Sequence, residues 1–110
     1  MRYNKNVGDS GEDFAVKMLE ESGYVIMERN YWTRAGEIDI VARKDGIIHF
    51  IEVKTRNGDA YGYPSDSITE SKRLRMRRSA ECYLSQRRMS WRNVSIDVYE
   101  VMTNLIENCV

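Results

Sequence analysis

The sequence predicts a small α/β fold in which α-helices flank a central mixed β-sheet. Two runs of alternating apolar and polar residues lie on either side of Asp45-Gly46, a preferred dipeptide for a two-residue hairpin turn. A helical pattern and a further alternating run follow, and a strand-helix-strand order implies a parallel crossover. The length of 110 residues suits one domain, residues 1–110, with a single core.

The first element is a helix predicted from about Ser10 to Ser22 and ended by Gly23. Apolar residues at helical spacing form its inward stripe: Phe14, Ala15, Met18 and Leu19. Glu12 falls in the first turn of this helix, where the helix dipole favours a carboxylate whatever its function.

Tyr24 to Glu28 is the next predicted strand, and Arg29 to Arg34 form a polar and aromatic connection into the hairpin. Tyr31 and Trp32 in this connection could stack on nucleobases, but the core is the commoner place for aromatic rings in small domains. They are therefore not taken as site residues.

The hairpin has a register that follows from its turn. With Asp45-Gly46 as the loop, Asp39 lies directly opposite Glu52. Period-two geometry assigns one face to Glu37, Asp39, Val41, Arg43, Ile48, Phe50, Glu52 and Lys54. The other face receives Ile38, Ile40, Ala42, Ile51 and Val53. His49, the single histidine, also falls on this second face and is not expected to be a ligand.

Asp39 and Glu52 are the candidate metal ligands. Opposed carboxylates on neighbouring strands, with Cβ atoms about 4.5–5.5 Å apart, destabilise a sheet unless a cation intervenes. Mg²⁺ is commonly held by only one or two carboxylates together with water and phosphate. Lys54 points to the same face and could orient a water or neutralise a phosphate, which predicts phosphodiester hydrolysis. The alternative is that alternating Glu and Lys merely deter edge-to-edge aggregation.

A turn-rich loop, Asn57 to Asp66, follows the hairpin. Its Tyr61 and Tyr63 suggest a flap that contacts substrate, and an ordinary surface connection is the alternative.

A second helix, capped by Thr69 or Ser67, is predicted to extend to about Gln86. Its core stripe consists of Met76, Ala80, Tyr83 and Leu84. Lys72 precedes the stripe by one turn, so it is expected to point toward the sheet. The alternation from Val94 to Met102 predicts the final strand.

Basic residues are concentrated in residues 72–92, here called the basic segment, although the chain has zero net charge. They are Lys72, Arg73, Arg75, Arg77, Arg78, Arg87, Arg88 and Arg92, with Glu81 as the only acid. Such segregation is typical of nucleic-acid binding, and Lys72, Arg75 and Arg78 are the candidate phosphate contacts. The alternative is a solvated face whose arginine stems cover apolar surface.

Asp39 and the Glu52-Val53-Lys54 run resemble the signature of the PD-(D/E)xK nuclease superfamily. More of the chain is similar to the bacterial YraN family, through Gly8, Gly11-Glu12, Ala15, Leu19, Gly23-Tyr24, Arg29-Asn30, Gly36-Glu37-Ile38-Asp39, Glu52-Val53-Lys54-Thr55-Arg56, Pro64 and Lys72. The resemblance implies a restriction-endonuclease-like fold similar to that of Holliday-junction resolvases. Ile38 stands where the superfamily motif has its proline, which makes the match less specific.

The resemblance also implies roles for four residues. Asp39 and Glu52 would be Mg²⁺ or Mn²⁺ ligands, Lys54 the catalytic lysine, and Glu12 a further acidic residue from the first helix. The expected activity is endonucleolytic cleavage of DNA, on branched or single-stranded substrates. The alternative is a non-catalytic nucleic-acid-binding module in DNA uptake, repair or recombination, and RNA is a further possible substrate.

Composition bounds the location and the partners. No apolar run approaches the length of a membrane span and no signal peptide is recognisable, so a cytoplasmic protein without a membrane partner is expected. Cys82 and Cys109 are expected to be free thiols. A monomer and a homodimer both remain open, and Leu74 and the tail, residues 103–110, are candidate dimer contacts.

Overall fold

The computed structural model describes residues 3–56 and 69–102, which form two helices and four strands. In chain order they are α1 (Tyr3–Glu21), β1 (Val25–Trp32), β2 (Glu37–Lys44), β3 (Ile47–Arg56), α2 (Glu70–Gln86) and β4 (Val94–Met102). The predicted loop 57–66, Ser67, the tail and Cys109 lie outside these residues.

The strands form one mixed sheet in the order β1-β2-β3-β4. β1, β2 and β3 pair antiparallel, whereas β4 lies parallel to β3, as the strand-helix-strand order predicts. This α/β arrangement is consistent with a restriction-endonuclease-like fold. Within the described residues, no helix is both long enough and apolar enough to span a membrane.

The hairpin between β2 and β3 has the predicted turn, and its register is as predicted from Lys44 and Ile47 to Ile40 and Ile51. The predicted pair of Asp39 and Glu52 is not part of this ladder. Asp45 and Gly46 both have positive φ, at 53° and 79°, as a type I′ turn requires.

Each face of the sheet carries its own core. The α2-side core consists of Ile38, Val41, Ile48, Phe50, Ala80, Tyr83 and Leu84. The α1-side core consists of Ala15, Leu19, Ile40, Ala42, Ile51 and Val101. All four predicted stripe residues of α2 are buried, and Thr69 caps the helix by accepting a 3.1 Å hydrogen bond from the Lys72 amide.

The predicted face of Ile38 is wrong. Ile38 packs in the α2-side core together with Val41, whereas Ile40 packs in the α1-side core. Strict alternation would place Ile38 and Ile40 together, so the pleat changes phase between them. Asn30 on the neighbouring strand has a φ of 52°, and a left-handed residue at this level interrupts the pleat of the pair.

Two predicted boundaries are also wrong. α1 begins at Tyr3 rather than near Ser10. The polar segment before Ser10 has weak helix propensity and was therefore not predicted as helix, but in the structure it continues α1 toward the amino terminus. Glu12 therefore lies in the middle of α1, away from the helix terminus. β1 extends to Trp32, because cross-strand pairing with β2 makes a strand of residues that were predicted as a connection.

Candidate active site

Four of the predicted site residues, Asp39, Glu52, Lys72 and Arg75, line one cleft, here called the Asp39 cleft. The predicted residues Lys54 and Arg78 are not among its lining residues. It opens where β2 begins and β3 approaches its end, beside the first turns of α2. The residues that line it are Trp32, Gly36, Glu37, Asp39, Glu52, Lys72, Arg75 and Met76.

The Asp39 side chain links β2 to β3. Its Oδ2 accepts a 2.8 Å hydrogen bond from the backbone N–H of Val53, just beyond the last ladder pair at Ile40 and Ile51. Burial raises the pKa of Asp39 and the nearby Glu52 carboxylate adds to the rise, while the bond from Val53 opposes it. The protein therefore holds this carboxylate where its negative charge is costly.

Two lysines surround the Glu52 carboxylate. Lys72 Nζ lies 2.6 Å from Glu52 Oε2, and Lys54 Nζ lies 3.9 Å from the same oxygen. Burial is the largest single effect on the pKa of Lys72 and lowers it, but the hydrogen bonds to Glu52 and Lys54 and the charge of Glu52 together raise the pKa above its ordinary value. Lys72 thus points toward the sheet as predicted, and it remains charged beside Glu52.

Glu12 approaches Asp39 from the α1 side. It is buried, with 8% exposure, and this burial raises the pKa of its carboxyl group. The guanidinium of Arg29, with Nη2 3.6 Å from Glu12 Oε1, opposes the rise, and the charge of Asp39 adds to it. The Asn30 amide nitrogen, in the orientation that satisfies its partners, lies 2.8 Å from Glu37 Oε2 and 3.3 Å from Glu12 Oε2.

Arg29 and Asn30 were not predicted as site residues. Both belong to the YraN-like pattern, and asparagine is one of the few residues that readily adopts positive φ. Asn30 has this conformation, with a φ of 52°, and the side chains of Arg29 and Asn30 both contact Glu12. The presence of Arg29 and Asn30 in the YraN-like pattern was therefore a signal that they belong to the site. Their role could not be interpreted without knowing where α1 packs.

A glycine lets α1 approach β3 closely enough to bring Glu12 to the site. A methyl group at Gly11 would lie 2.5 Å from Thr55 Oγ1, well inside van der Waals contact. Only a residue without a side chain fits there while Thr55 keeps its position.

The turn between β1 and β2 holds α2 against the cleft. Thr33 Oγ1 lies 2.8 Å from the carbonyl oxygen of Gly36 and 3.1 Å from Oγ of the buried Ser79. Gly36 has a φ of 150°, and a methyl group there would lie 3.2 Å from both Cγ and Cδ of Arg75. The stem of Arg75 therefore packs over Gly36 at the edge of the cleft.

The remaining residues of the basic segment have different environments. Arg78 is exposed on α2, about one turn beyond Arg75. Arg87 pairs with Glu28 at 3.1 Å and stacks over Tyr83 at 3.8 Å, so part of this segment covers the core. The acid that balances Arg87 therefore comes from β1 and not from the basic segment itself.

His49 lies on the opposite face from Glu52, as predicted. Its Nδ1 is 2.7 Å from Asp97 Oδ2, and its ring packs edge-on against Tyr24. This pair belongs to the side of the sheet that carries α1.

The donor set of the cleft fits a hard divalent cation. Asp39 and Glu52 supply carboxylate oxygens. The charge of Glu52 contributes to the raised pKa of Asp39, and a bound cation would relieve this repulsion. Among the described residues, no group of three His, Cys, Asp or Glu side chains is arranged to hold a metal. Mg²⁺ or Mn²⁺ held there would rely on the two carboxylates together with water and substrate oxygens.

The fold and the cleft define an α/β protein consistent with restriction-endonuclease-like architecture. The model of the family described as "Uncharacterised protein family UPF0102" matches residues 11–101, and the chain belongs to this family. Membership confirms the resemblance to YraN proteins.

Relatives from several bacteria match most of the chain. A UPF0102 protein of Clostridium perfringens strain SM101 is 45% identical over 100 residues, which are 91% of this chain and 82% of the relative. A UPF0102 protein of Dictyoglomus turgidum is 38% identical over 99 residues, 90% of this chain and 84% of the relative. The UPF0102 protein of Clostridium kluyveri is 39% identical over 102 residues, 93% of this chain and 84% of the relative.

Proposed function

We propose that the chain is a Mg²⁺- or Mn²⁺-dependent DNA endonuclease that hydrolyses phosphodiester bonds in branched or single-stranded DNA. The observation that carries the proposal is the meeting of Asp39, Glu52 and Lys72 in one cleft, with Lys54 beside Glu52. Two carboxylates with adjacent ammonium groups suit a reaction in which a phosphate gains negative charge.

Each side chain has a role that follows from its position. Asp39 and Glu52 would hold the cation, which when bound supplies positive charge at the scissile phosphate. Lys54 would orient the attacking water, and the charged Lys72 would attract the phosphate toward Glu52. Glu12 would add negative charge behind Asp39, held in place by Arg29 and Asn30.

Phosphate binding falls to the basic residues of α2. Lys72 and Arg75 line the cleft, and Arg78 continues the same helix outside it. Backbone contacts of this kind bind DNA with little sequence information and weaken as salt rises. DNA is favoured over RNA through the resemblance alone.

Cleavage assays test the proposal. Labelled single-stranded, duplex, flap and four-way-junction DNA would be incubated with Mg²⁺ or Mn²⁺ and the parent protein, Asp39→Asn or Lys54→Ala. The proposal expects metal-dependent cutting by the parent, lost by a factor of about 100 or more in both variants. Equal cutting by parent and variants would instead indicate a contaminating nuclease and contradict the proposal.

The alternative is a binding module that retains the fold without catalysis. It is favoured by the 2.6 Å contact of Lys72 with Glu52, which already neutralises one of the carboxylates. A module binds DNA without cutting it, and Asp39→Asn leaves that binding intact. Charge reversal at Arg75 and Arg78 weakens binding under both functions, so it reports on the surface and not on catalysis.

A further inference from the structure

Trp32 is the most exposed of the large apolar side chains in the described part of the chain, at 72%. An indole in water leaves a large apolar area unburied, which a place in the core would remove. Its neighbour Tyr31 has such a place, with its ring 5.1 Å from that of Tyr83. The exposure of Trp32 is therefore not a general property of this aromatic pair.

The backbone of Trp32 is held firmly beside the Asp39 cleft. Trp32 pairs with Glu37 at the end of the β1 and β2 ladder. The turn that follows is closed by a 2.8 Å hydrogen bond from the Thr33 amide to the Gly36 carbonyl and is tied to α2 through Ser79. Because the backbone is already fixed here, a ligand that covers the ring has only the side-chain torsions of Trp32 to order.

The same cleft combines this ring with groups that suit phosphate. Lys72 and Arg75 line it together with Trp32, Asp39 and Glu52. A nucleotide presents a phosphate and a planar base at neighbouring positions. In a duplex both faces of a base are covered by its neighbours, whereas an unpaired base can be splayed out and stacked on an aromatic side chain.

We infer that Trp32 is a stacking platform for an unpaired nucleobase, so that the Asp39 cleft selects nucleic-acid strands with unpaired bases next to the bound phosphate. The inference rests on the proposed function for the identity of the ligand and adds its specificity. Trp32 is a positioning residue, because its ring holds the base while the carboxylates and lysines face the phosphate.

Tryptophan fluorescence tests the inference. The chain has only two tryptophans, so Trp91→Phe leaves Trp32 as the sole indole. In an Asp39→Asn background, this protein would be titrated with an oligothymidylate strand, an abasic strand of equal length and a hairpin duplex with the same number of phosphates. Quenching by oligothymidylate, and much less by the other two ligands, is expected.

Affinities of matched variants complete the test. Trp32→Ala is expected to weaken oligothymidylate binding by about 5-fold to 100-fold and to leave abasic and duplex binding within about 2-fold. Trp32→Phe keeps a ring and should retain most of the affinity, and Trp91→Ala, at the other exposed tryptophan, should bind like the parent.

Three results would overturn the inference: unchanged affinity in Trp32→Ala, equal weakening with abasic and base-containing strands, or an equal loss in Trp91→Ala. If metal-dependent cleavage persists while any of these is observed, the proposed function stands and only the role of Trp32 fails. Failure of the parent to bind any of the three ligands would overturn the inference, and the proposed function would fail with it if a four-way junction were also left unbound.

Discussion

Individual acidic residues at the site are held where their charges are unfavourable. Burial raises the pKa of Glu12 and of Asp39, and the two carboxylates also repel each other. Buried acids with raised pKa values in a cleft are typical of functional sites, because their energetic cost persists only if function requires them.

Glu12→Gln is expected to stabilise the free protein at about pH 7. Because the pKa of Glu12 is raised, the folded state binds this proton more tightly than the unfolded chain does. The parent therefore loses stability as the pH rises from the ordinary pKa of a glutamate to the raised pKa of Glu12. Glutamine does not titrate, so the free energy of unfolding of the variant should increase relative to that of the parent over this pH range. The two should converge at about pH 3, where the carboxyl is protonated in both states.

Urea unfolding at several pH values measures this difference. Glu20→Gln, on the exposed surface of the same helix, is the control and should follow the parent at every pH. A Glu12→Gln variant that is less stable than the parent at neutral pH would show that the contact with Arg29 outweighs the cost of burial.

Arg75→Gln should weaken DNA binding and reduce its salt dependence. Arg75 lines the Asp39 cleft, so its loss removes about one phosphate contact and lowers the slope of log K against log salt by about 0.7–0.9. Arg73→Gln is the matched control, because Arg73 lies in a groove on the β4 flank of the same helix. Equal effects of the two variants would show that α2 binds DNA through its whole basic surface and not through the cleft.

At the scale of elements, local signals predicted the structure well. Asp45-Gly46 set the turn and the register of β2 and β3, because both depend on residues adjacent in sequence. The phase change near Asp39 was not predictable in this way, since it involves the left-handed Asn30 on another strand. The hydrogen bond from Val53 to Asp39 likewise depends on two strands being in place.

Gly36→Ala should cost about 1–3 kcal/mol of the free energy of unfolding. A φ of 150° is a conformation that residues other than glycine rarely adopt. The added methyl would also lie 3.2 Å from the Arg75 side chain, closer than an ordinary van der Waals contact. Gly46→Ala is the comparison, because Gly46 also has positive φ but no atom lies within 4 Å of the added methyl.

Chemical denaturation of both variants separates the two causes. We expect the larger loss at Gly36, accompanied by weaker DNA binding as Arg75 is displaced, and unchanged DNA binding in Gly46→Ala. If Gly36→Ala and Gly46→Ala lose the same stability and both bind DNA like the parent, the contact of Gly36 with the Arg75 stem matters neither for stability nor for DNA binding.

The close contact between α1 and β3 predicts that the effect of Gly11→Ala on stability changes sign when Thr55 is also replaced. Gly11→Ala alone should destabilise by about 1–3 kcal/mol, because the methyl meets Thr55 Oγ1 at 2.5 Å. In a Thr55→Ala background the same substitution should stabilise by about 0.5–1 kcal/mol, the ordinary advantage of alanine in a helix. Additive effects, measured by thermal unfolding, would mean that α1 does not rely on this close approach.

At the scale of the whole molecule, the fold and the candidate site were predictable to different degrees. The mixed sheet followed from the order of strands and helices, and the hairpin pattern and helical spacing predicted Asp39, Glu52 and Lys72 as residues of one site. Trp32 and Gly36, which also line the Asp39 cleft, were not predicted as site residues. The partners of Glu12 could not be found in this way, because Arg29 and Asn30 reach it only when α1 is packed on the sheet. Tertiary contacts between distant segments account for most of what was missed.

Charge is distributed over the molecule in a way that zero net charge conceals. Lys72 and Arg75 face the cleft, whereas Arg87 is engaged with Glu28 and Tyr83. DNA attraction is therefore expected to come from one end of α2 and to fall steeply with ionic strength.

The claim on which the functional account depends is that Asp39 and Glu52 together hold a divalent cation. Electron paramagnetic resonance of Mn²⁺, titrated into the protein with and without oligonucleotide, measures this directly. The account predicts binding by the parent that is lost in Asp39→Asn and retained in Asp97→Asn, a carboxylate paired with His49 on the other face. Absence of Mn²⁺ binding in the parent, or equal binding in Asp39→Asn, would contradict it.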